Sequence, residues 1–279
     1  MKVISVNKVR DLVANLCIRA NTVLRADILT ALKKAYLEEK NKKAKNALAA
    51  IIENAAIAKK EKLAICQDTG LPCIFVELGQ EVKVSGDLMA AINRGVESGY
   101  KKGYFRNSII KNSLERGEPG FGPAIIHIDL VRGSKLKISV LPKGFGCENK
   151  SRLKMFNPTA SLDEIKEFIV DVVKDAKADA CPPYVVGVGI GGTAEYAGLL
   201  AKKALLKKTA DRRPQTRDRI KKLENDLLEK INELNIGVMG LGGVTCLGVH
   251  VETAPTHIAG LPVAVNISCH ALRSATGEI

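Results

Sequence analysis

A chain of 279 residues can bury one large core or two modest ones, and 46% hydrophobic with 26% charged residues describes a globular protein, not a disordered one. No apolar run approaches the roughly 20 residues of a membrane span. The opening residues 1–13 mix charged and apolar side chains, without the apolar core and small-residue cleavage site of a secretory signal. The formal charge of +13 lies largely in lysine-rich, helix-like stretches at 33–45, 202–208 and 212–222. With 4% aromatic residues and no tryptophan there is little to stack on bases, so a solvated basic surface is expected rather than a nucleic-acid or membrane interface.

Val9, Leu12, Val13 and Leu16 share one face at helical spacing, and residues 47–58 are alanine-rich, so residues 1–60 are predicted as a mainly helical N-terminal segment. Residues 61–279 are predicted as one continuous α/β region. It begins with the turn signal of residues 67–72, a strand over Cys73–Leu78 and a helix from Asp87, as N-cap, to about Gly99. Ala124–Val131 and Lys135–Leu141 alternate as strands around Arg132, Gly133 and Ser134 and read as a hairpin. Residues 142–158 form a polar, glycine-containing loop too long for a mere connector. Ser161 and Glu164 make a capping-box pattern for a helix reaching about Lys177. A buried-type strand, Tyr184–Ile190, runs through Gly191, Gly192 and Thr193 into a helix ending at Lys208. A charged helix over 216–234 follows, then strands at Val244–Val251 and Leu261–Ile267 separated by residues 252–260. The alternation predicts an α/β fold of mixed helices and strands, without internal repeats or a clear linker.

Seven cysteines stand at 17, 66, 73, 147, 181, 246 and 269. An odd number without a CxxC pair argues against a disulfide scaffold or short-spaced zinc site and for a reducing, cytoplasmic compartment. Cys17 and Cys73 sit in apolar contexts and read as small buried hydrophobes. Cys66, Cys181 and Cys269 each adjoin a strand terminus, where α/β proteins tend to place ligands. Their wide spacing leaves two readings open: a metal site assembled by the fold, or three buried thiols.

Six motifs in order from about residue 60 onward carry a resemblance. They are Cys66-Gln-Asp-Thr-Gly70, Pro142-Lys-Gly-Phe-Gly-Cys-Glu-Asn-Lys150, Cys181-Pro-Pro183 with Gly187-Val-Gly-Ile-Gly-Gly-Thr193, Gly240-Leu-Gly-Gly243, Pro255-Thr-His-Ile-Ala-Gly-Leu-Pro262 and Asn266-Ile-Ser-Cys-His270. Together they resemble the α subunit of the iron–sulfur-dependent class I fumarate hydratases and the related L(+)-tartrate dehydratases. The resemblance implies a [4Fe–4S] cluster held by Cys66, Cys181 and Cys269, with one iron lacking a protein ligand. It implies a reversible hydration of fumarate to (S)-malate, or dehydration of tartrate to oxaloacetate, and a separate β subunit, arranged as α2β2 in the family. One departure is visible: the family's glycine-rich loop commonly has serine where this chain has Cys147, which is kept out of the ligand set.

The same resemblance assigns roles that the bare residues leave open. Asp68 is expected as an acid–base group, although an aspartate before Thr-Gly is also an ordinary turn residue. His257 is expected at the active site. Gln67 and Arg106 are expected to contact a dicarboxylate, which suits a guanidinium fork, although an arginine such as Arg106 is commonly a surface ion-pair residue. Gly144 and Gly146 are expected to expose loop N–H groups to a carboxylate, or simply to turn the chain. His270 is expected to tune the cluster from beside Cys269, while His127 and His250 read as packed strand residues. The Gly187–Gly192 run lacks the lysine of a phosphate-binding loop and a clean dinucleotide fingerprint. The alternatives from other classes are a cluster-bearing electron-transfer or regulatory protein and a nucleic-acid-binding protein.

Overall fold

The computed structural model describes residues 2–209 and 218–279, so the predicted helix start at 216–217 and the basic residues 212–217 lie outside the described residues. The first elements are β1 (Lys2–Ser5), α1 (Val6–Thr22), α2 (Ala26–Glu38), α3 (Lys42–Glu61), β2 (Leu71–Gly79), β3 (Val82–Ser85) and α4 (Leu88–Lys102). Next come β4 (Ile125–Val131), β5 (Leu136–Lys143), α5 (Phe145–Glu148), β6 (Arg152–Phe156), α6 (Leu162–Ala176) and β7 (Tyr184–Gly192). The chain ends with α7 (Ala194–Ala204), α8 (Asp218–Glu233), β8 (Cys246–Thr256), β9 (Leu261–Ser268) and β10 (Ala275–Glu278). The fold is thus α/β, as expected. Among the described residues no helix is long and apolar enough to cross a membrane. The residues divide into two units: Met1–Leu24, Asn54–Phe145 and Arg273–Ile279 in the first, Arg25–Glu53 and Gly146–Leu272 in the second.

The first unit is built around β2, whose apolar run is buried along most of its length and so needs a neighbour on each edge. It has β4 parallel on one side and β5 antiparallel on the other, giving the order β10-β5-β2-β4. The hairpin expected between β4 and β5 is therefore not formed, because β2 lies between them. Period-two alternation is the same whether two strands pair with each other or flank a third, and the link of residues 132–135 crosses the roughly 10 Å over one intervening strand. That link also closes the end of β2: Gly79 N–H donates to Lys135 O at 2.9 Å, Gln80 N–H to Val131 O at 2.9 Å and Glu81 N–H to Gly133 O at 3.1 Å. Helices α1 and α4 supply the core, with Val9, Val13 and Cys17 beside Ile92, Val96 and Tyr100 and against Ile74, Ile138 and Val140. Asp87 caps α4 as expected, accepting Ala90 N–H at 2.9 Å.

In the second unit β7 is central, parallel to β8 and antiparallel to β9, with β6 on the outer edge of β9. Ile165 and Ile169 of α6 and Leu227 and Ile231 of α8 pack with Val186, Val249 and Ile267 of the sheet. The capping box of Ser161 and Glu164 is present in both directions, an arrangement contributing about 1 kcal/mol. The glycines of β7 serve packing rather than phosphate: a Cβ on Gly187 or Gly189 would stand 2.1 Å from Ala201 O or 2.0 Å from Ala197 O, so α7 can lie on the strand at backbone contact. Three boundaries differ from expectation. Helix α7 ends at Ala204, β8 runs on to Thr256 and leaves only residues 257–260 as a turn, and the expected loop 142–158 contains the short helix α5 and edge strand β6.

Candidate functional site

The first unit gathers one group of predicted site residues at the Cys66–Gly70 turn. Ile65 is fixed from two directions before the turn starts, its N–H donating to Asn21 O at 2.9 Å and its carbonyl accepting Asn54 Nδ2 at 2.9 Å. Cys66 and Asp68 are half-buried and Gln67 is exposed. Asp68 does make the local turn bond, Gly70 N–H to Oδ1 at 2.9 Å, and its second oxygen accepts Phe145 N–H at 2.9 Å. The carboxylate thereby joins the first-cysteine turn to the start of the glycine-rich loop. At Gly144 a Cβ would stand 3.2 Å from Asp68 Oδ2, so a side chain there would press on the carboxylate. Gly70 has φ of +75° and packs against the backbone of Pro142 and Lys143, which leaves no room for a larger residue.

Arg106 is exposed, and its main-chain carbonyl accepts the Thr69 hydroxyl at 3.1 Å. The turn therefore fixes the backbone of Arg106 and leaves the guanidinium free to reach outward. Lys143, at the end of β5, is buried, with Nζ 3.5 Å from Gly144 O.

In the second unit Cys181 is exposed and takes a left-handed backbone, φ +57°, which costs a non-glycine residue about 1–2 kcal/mol. Its carbonyl meets both the backbone N–H of His270, at 3.3 Å, and the ring Nδ1 of His270, at 3.1 Å. The second and third cysteine loops are thus stitched together by the histidine that follows Cys269. Gly146 has open space where a side chain would stand. Cys147 is buried and its thiol donates to Ala180 O at 3.4 Å, so it turns into the core. Asn266 Nδ2 donates to Glu148 Oε2 and Ser151 Oγ, both at 2.9 Å, holding the glycine-rich loop to β9. His257 is exposed in the turn after β8; its Nδ1 accepts Ala259 N–H at 3.2 Å, so the neutral ring carries its proton on Nε2. His250 is buried in β8, and His127 in β4 stacks on Phe75 with centroids 5.4 Å apart.

The seven cysteines separate cleanly by accessibility. Cys17, Cys73, Cys147 and Cys246 are buried; Cys66 and Cys269 are half-buried and Cys181 is exposed. Burial pushes the thiols of Cys17 and Cys246 up to about 12, which makes them poor thiolates. The three remaining thiols are the chemically available ones, a donor set that fits an iron–sulfur cluster. Cys66 belongs to the first unit and Cys181 and Cys269 to the second, and among the described residues no three His, Cys, Asp or Glu side chains form a ready-made metal group.

Three residues at the Asp68 turn escape a reading of motifs. Thr69 ties Arg106 to the turn; Tyr100 OH donates to Thr69 O at 2.7 Å; Arg273 Nη2 donates to Asp68 O at 2.6 Å. Tyr100 lies inside a helical pattern and Arg273 follows the last cysteine motif, so neither sequence position signals proximity to residue 68. Thr69 lies within the Cys66–Gly70 motif, and only its complete burial betrays its task.

A model of the fumarate hydratase (Fumerase) family matches residues 10–278 of the chain. A Methanocaldococcus jannaschii protein, provisionally named L(+)-tartrate dehydratase subunit alpha, is 40% identical over 281 residues, covering 98% of this chain and 98% of its own length. The L(+)-tartrate dehydratase subunit alpha of Escherichia coli strain UTI89 is 30% identical over 277 residues, covering 98% of this chain and 91% of its own length.

Proposed function

The chain belongs to the fumarate hydratase (Fumerase) family and is a hydro-lyase; on that premise we propose that it is the α subunit of a fumarate hydratase, interconverting fumarate and (S)-malate. The observation that carries this reading is the Asp68 carboxylate, held by Gly70 and Phe145 N–H groups beside Gly144. Addition of water across a double bond next to carboxylates needs a group that gives or takes a proton on carbon, and a clamp for the acid groups. Asp68 supplies the first, directly or by orienting a residue of the partner. Its two N–H bonds fix both oxygens, so the carboxylate keeps one orientation through the reaction. Gln67 in the turn and Arg106, tied to it through Thr69, would bind the dicarboxylate, with the N–H groups at Gly144 and Gly146 taking part from the loop. His257, with its proton on Nε2, is suited to donate a hydrogen bond to substrate.

Cys66, Cys181 and Cys269 would hold a [4Fe–4S] cluster, in keeping with their being the three accessible thiols. When bound, the cluster supplies a Lewis-acidic iron without a protein ligand, to which substrate oxygens can bind. The remaining acid–base group and further basic contacts would come from a separate β subunit; the relatives named as alpha subunits support that arrangement, with α2β2 as the expected assembly. A cytoplasmic setting suits three accessible cysteine thiols.

The names of the two relatives favour a second reading, L(+)-tartrate dehydration to oxaloacetate. The substrates differ in hydroxyl groups, and a buried donor or acceptor left unpaired by the wrong one decides between them. The test is anaerobic reconstitution with the β partner, followed by parallel assays of fumarate hydration and tartrate dehydration. Fumarate turnover with a higher kcat/KM is expected, and Cys181→Ser should remove it. Activity on neither substrate in a folded, cluster-loaded complex would overturn both readings; faster tartrate turnover would select the second.

A further inference from the structure

The Asp68 turn is held by two buried side chains from distant parts of the first unit. Tyr100, 1% exposed, donates its hydroxyl hydrogen to Thr69 O at 2.7 Å, with Gly70 O at 3.3 Å. Arg273, 3% exposed, donates to Asp68 O at 2.6 Å through Nη2, while Nε and Nη1 are buried with no hydrogen-bond partner among the described residues. Three successive carbonyls are thus claimed from the protein side, and the Asp68 carboxylate is claimed by Gly70 and Phe145 N–H groups.

A neutral amide could satisfy one carbonyl at lower cost, because a buried guanidinium with two unsatisfied nitrogens carries a large desolvation penalty. The permanent charge must therefore be offset by something anionic. Asp68 supplies such a group close by: its Oδ2 and Arg273 Nη2 both lie within 4 Å of the point where a Cβ on Gly144 would stand. We propose that Arg273 is the positioning residue of Asp68, fixing the backbone that carries the carboxylate and placing a fixed positive charge beside it. This rests on the reading of Asp68 as an acid–base group. Because Arg273 is shut away from solvent, it acts on turnover and leaves substrate affinity to Gln67 and Arg106.

The test uses Arg273→Lys, which keeps the charge, and Arg273→Gln, which keeps a donor, each assembled with the β partner and loaded with cluster. Displacing the carboxylate by about 1 Å should lower kcat about 10²-fold in the Gln variant, about tenfold in the Lys variant, and move KM less than about threefold. A second readout needs no activity: amide hydrogen exchange in the α chain should quicken at Gly70 and Phe145 and stay unchanged at Val96 in α4. Unchanged exchange at both amides, or a raised KM with intact kcat, would overturn the proposal. Asp68→Asn separates the two layers. An active Asp68→Asn enzyme sinks the reading of Asp68, whereas a dead Asp68→Asn beside a fully active Arg273→Gln sinks only the role of Arg273.

Discussion

Gly70→Ala puts the geometry of the Asp68 turn under direct strain, and a second glycine provides its control. At Gly70 φ is +75° and a Cβ would stand 2.7 Å from the carbonyl carbon of Pro142 and 2.8 Å from the nitrogen of Lys143. At Gly117 φ is +72°, almost the same, yet a Cβ would meet nothing within 4 Å. The left-handed backbone alone costs alanine about 1 kcal/mol, so that is the expected loss for Gly117→Ala. Gly70→Ala adds a collision with main chain, which cannot swing aside as a side-chain tip can; overpacking of this kind costs about 1–3 kcal/mol more. Both glycines belong to the first unit, so both variants report on its unfolding. In urea titrations followed by circular dichroism, a gap of about 2 kcal/mol at a slope of about 2 kcal/mol per M separates the midpoints by about 1 M. Coincident midpoints would refute the close seating of the turn on β5. The assembled Gly70→Ala enzyme should also lose activity, since the turn and Phe145 share the Asp68 carboxylate.

Further outcomes follow from the same geometry. Asp68→Asn keeps an acceptor for Gly70 N–H but turns an NH2 group toward Phe145 N–H and removes proton transfer, so kcat should fall about 10²–10⁴-fold at a stability cost of about 1–2 kcal/mol; a near-normal kcat would remove Asp68 from the chemistry. Iodoacetamide at pH 8, read by mass spectrometry on the cluster-free chain, should label Cys66, Cys181 and Cys269 well before Cys17 and Cys246, whose thiols burial pushes up to about 12; early labelling of Cys246 would contradict the second core. Asp27 gives a pH signature. Burial opposes its ionisation, but hydrogen bonds from Arg25 and Thr209 outweigh this and hold its pKa below the usual carboxylate value. A depressed folded-state pKa contributes stability above about pH 4 that is lost as pH falls through the folded value. Asp27→Asn, which removes the carboxylate while the Leu205 and Lys207 carbonyls still accept from Arg25, should therefore cost about 1–2 kcal/mol at pH 7 and progressively less below pH 4; a cost independent of pH would rule the pair out.

What the sequence made legible was local. The Ser161–Glu164 capping box, the Asp87 cap and the apolar face of α1 depend on neighbours a few residues apart, and each forms as written. The pairing of β4 and β5 was misread because alternation specifies which face is buried and is silent about which strand lies alongside. Strand β6 was invisible for a related reason: four of its five residues are exposed, so it has the charged character of an edge and no buried alternation to detect. At the site, Asp68 was found through its motif, whereas Arg273 and Tyr100 were not. They reach the turn across 205 and 31 residues of chain, and only folding brings such distant groups together.

Synthesis on the ribosome runs from the N-terminal side onward, and the first unit is completed by Arg273–Ile279, made after residues 146–272 of the second. Until β10 emerges, the outer edge of β5 has exposed hydrogen-bonding groups, an invitation to pair with another nascent chain. At about 5–20 residues per second the interval while residues 146–272 are made is on the order of ten seconds. The same delay keeps Arg273 from the Asp68 carbonyl. Translation thus withholds the last fitting of the turn until residues 146–272 have been made, and a product truncated before residue 273 gains neither the closing strand nor the buried cation.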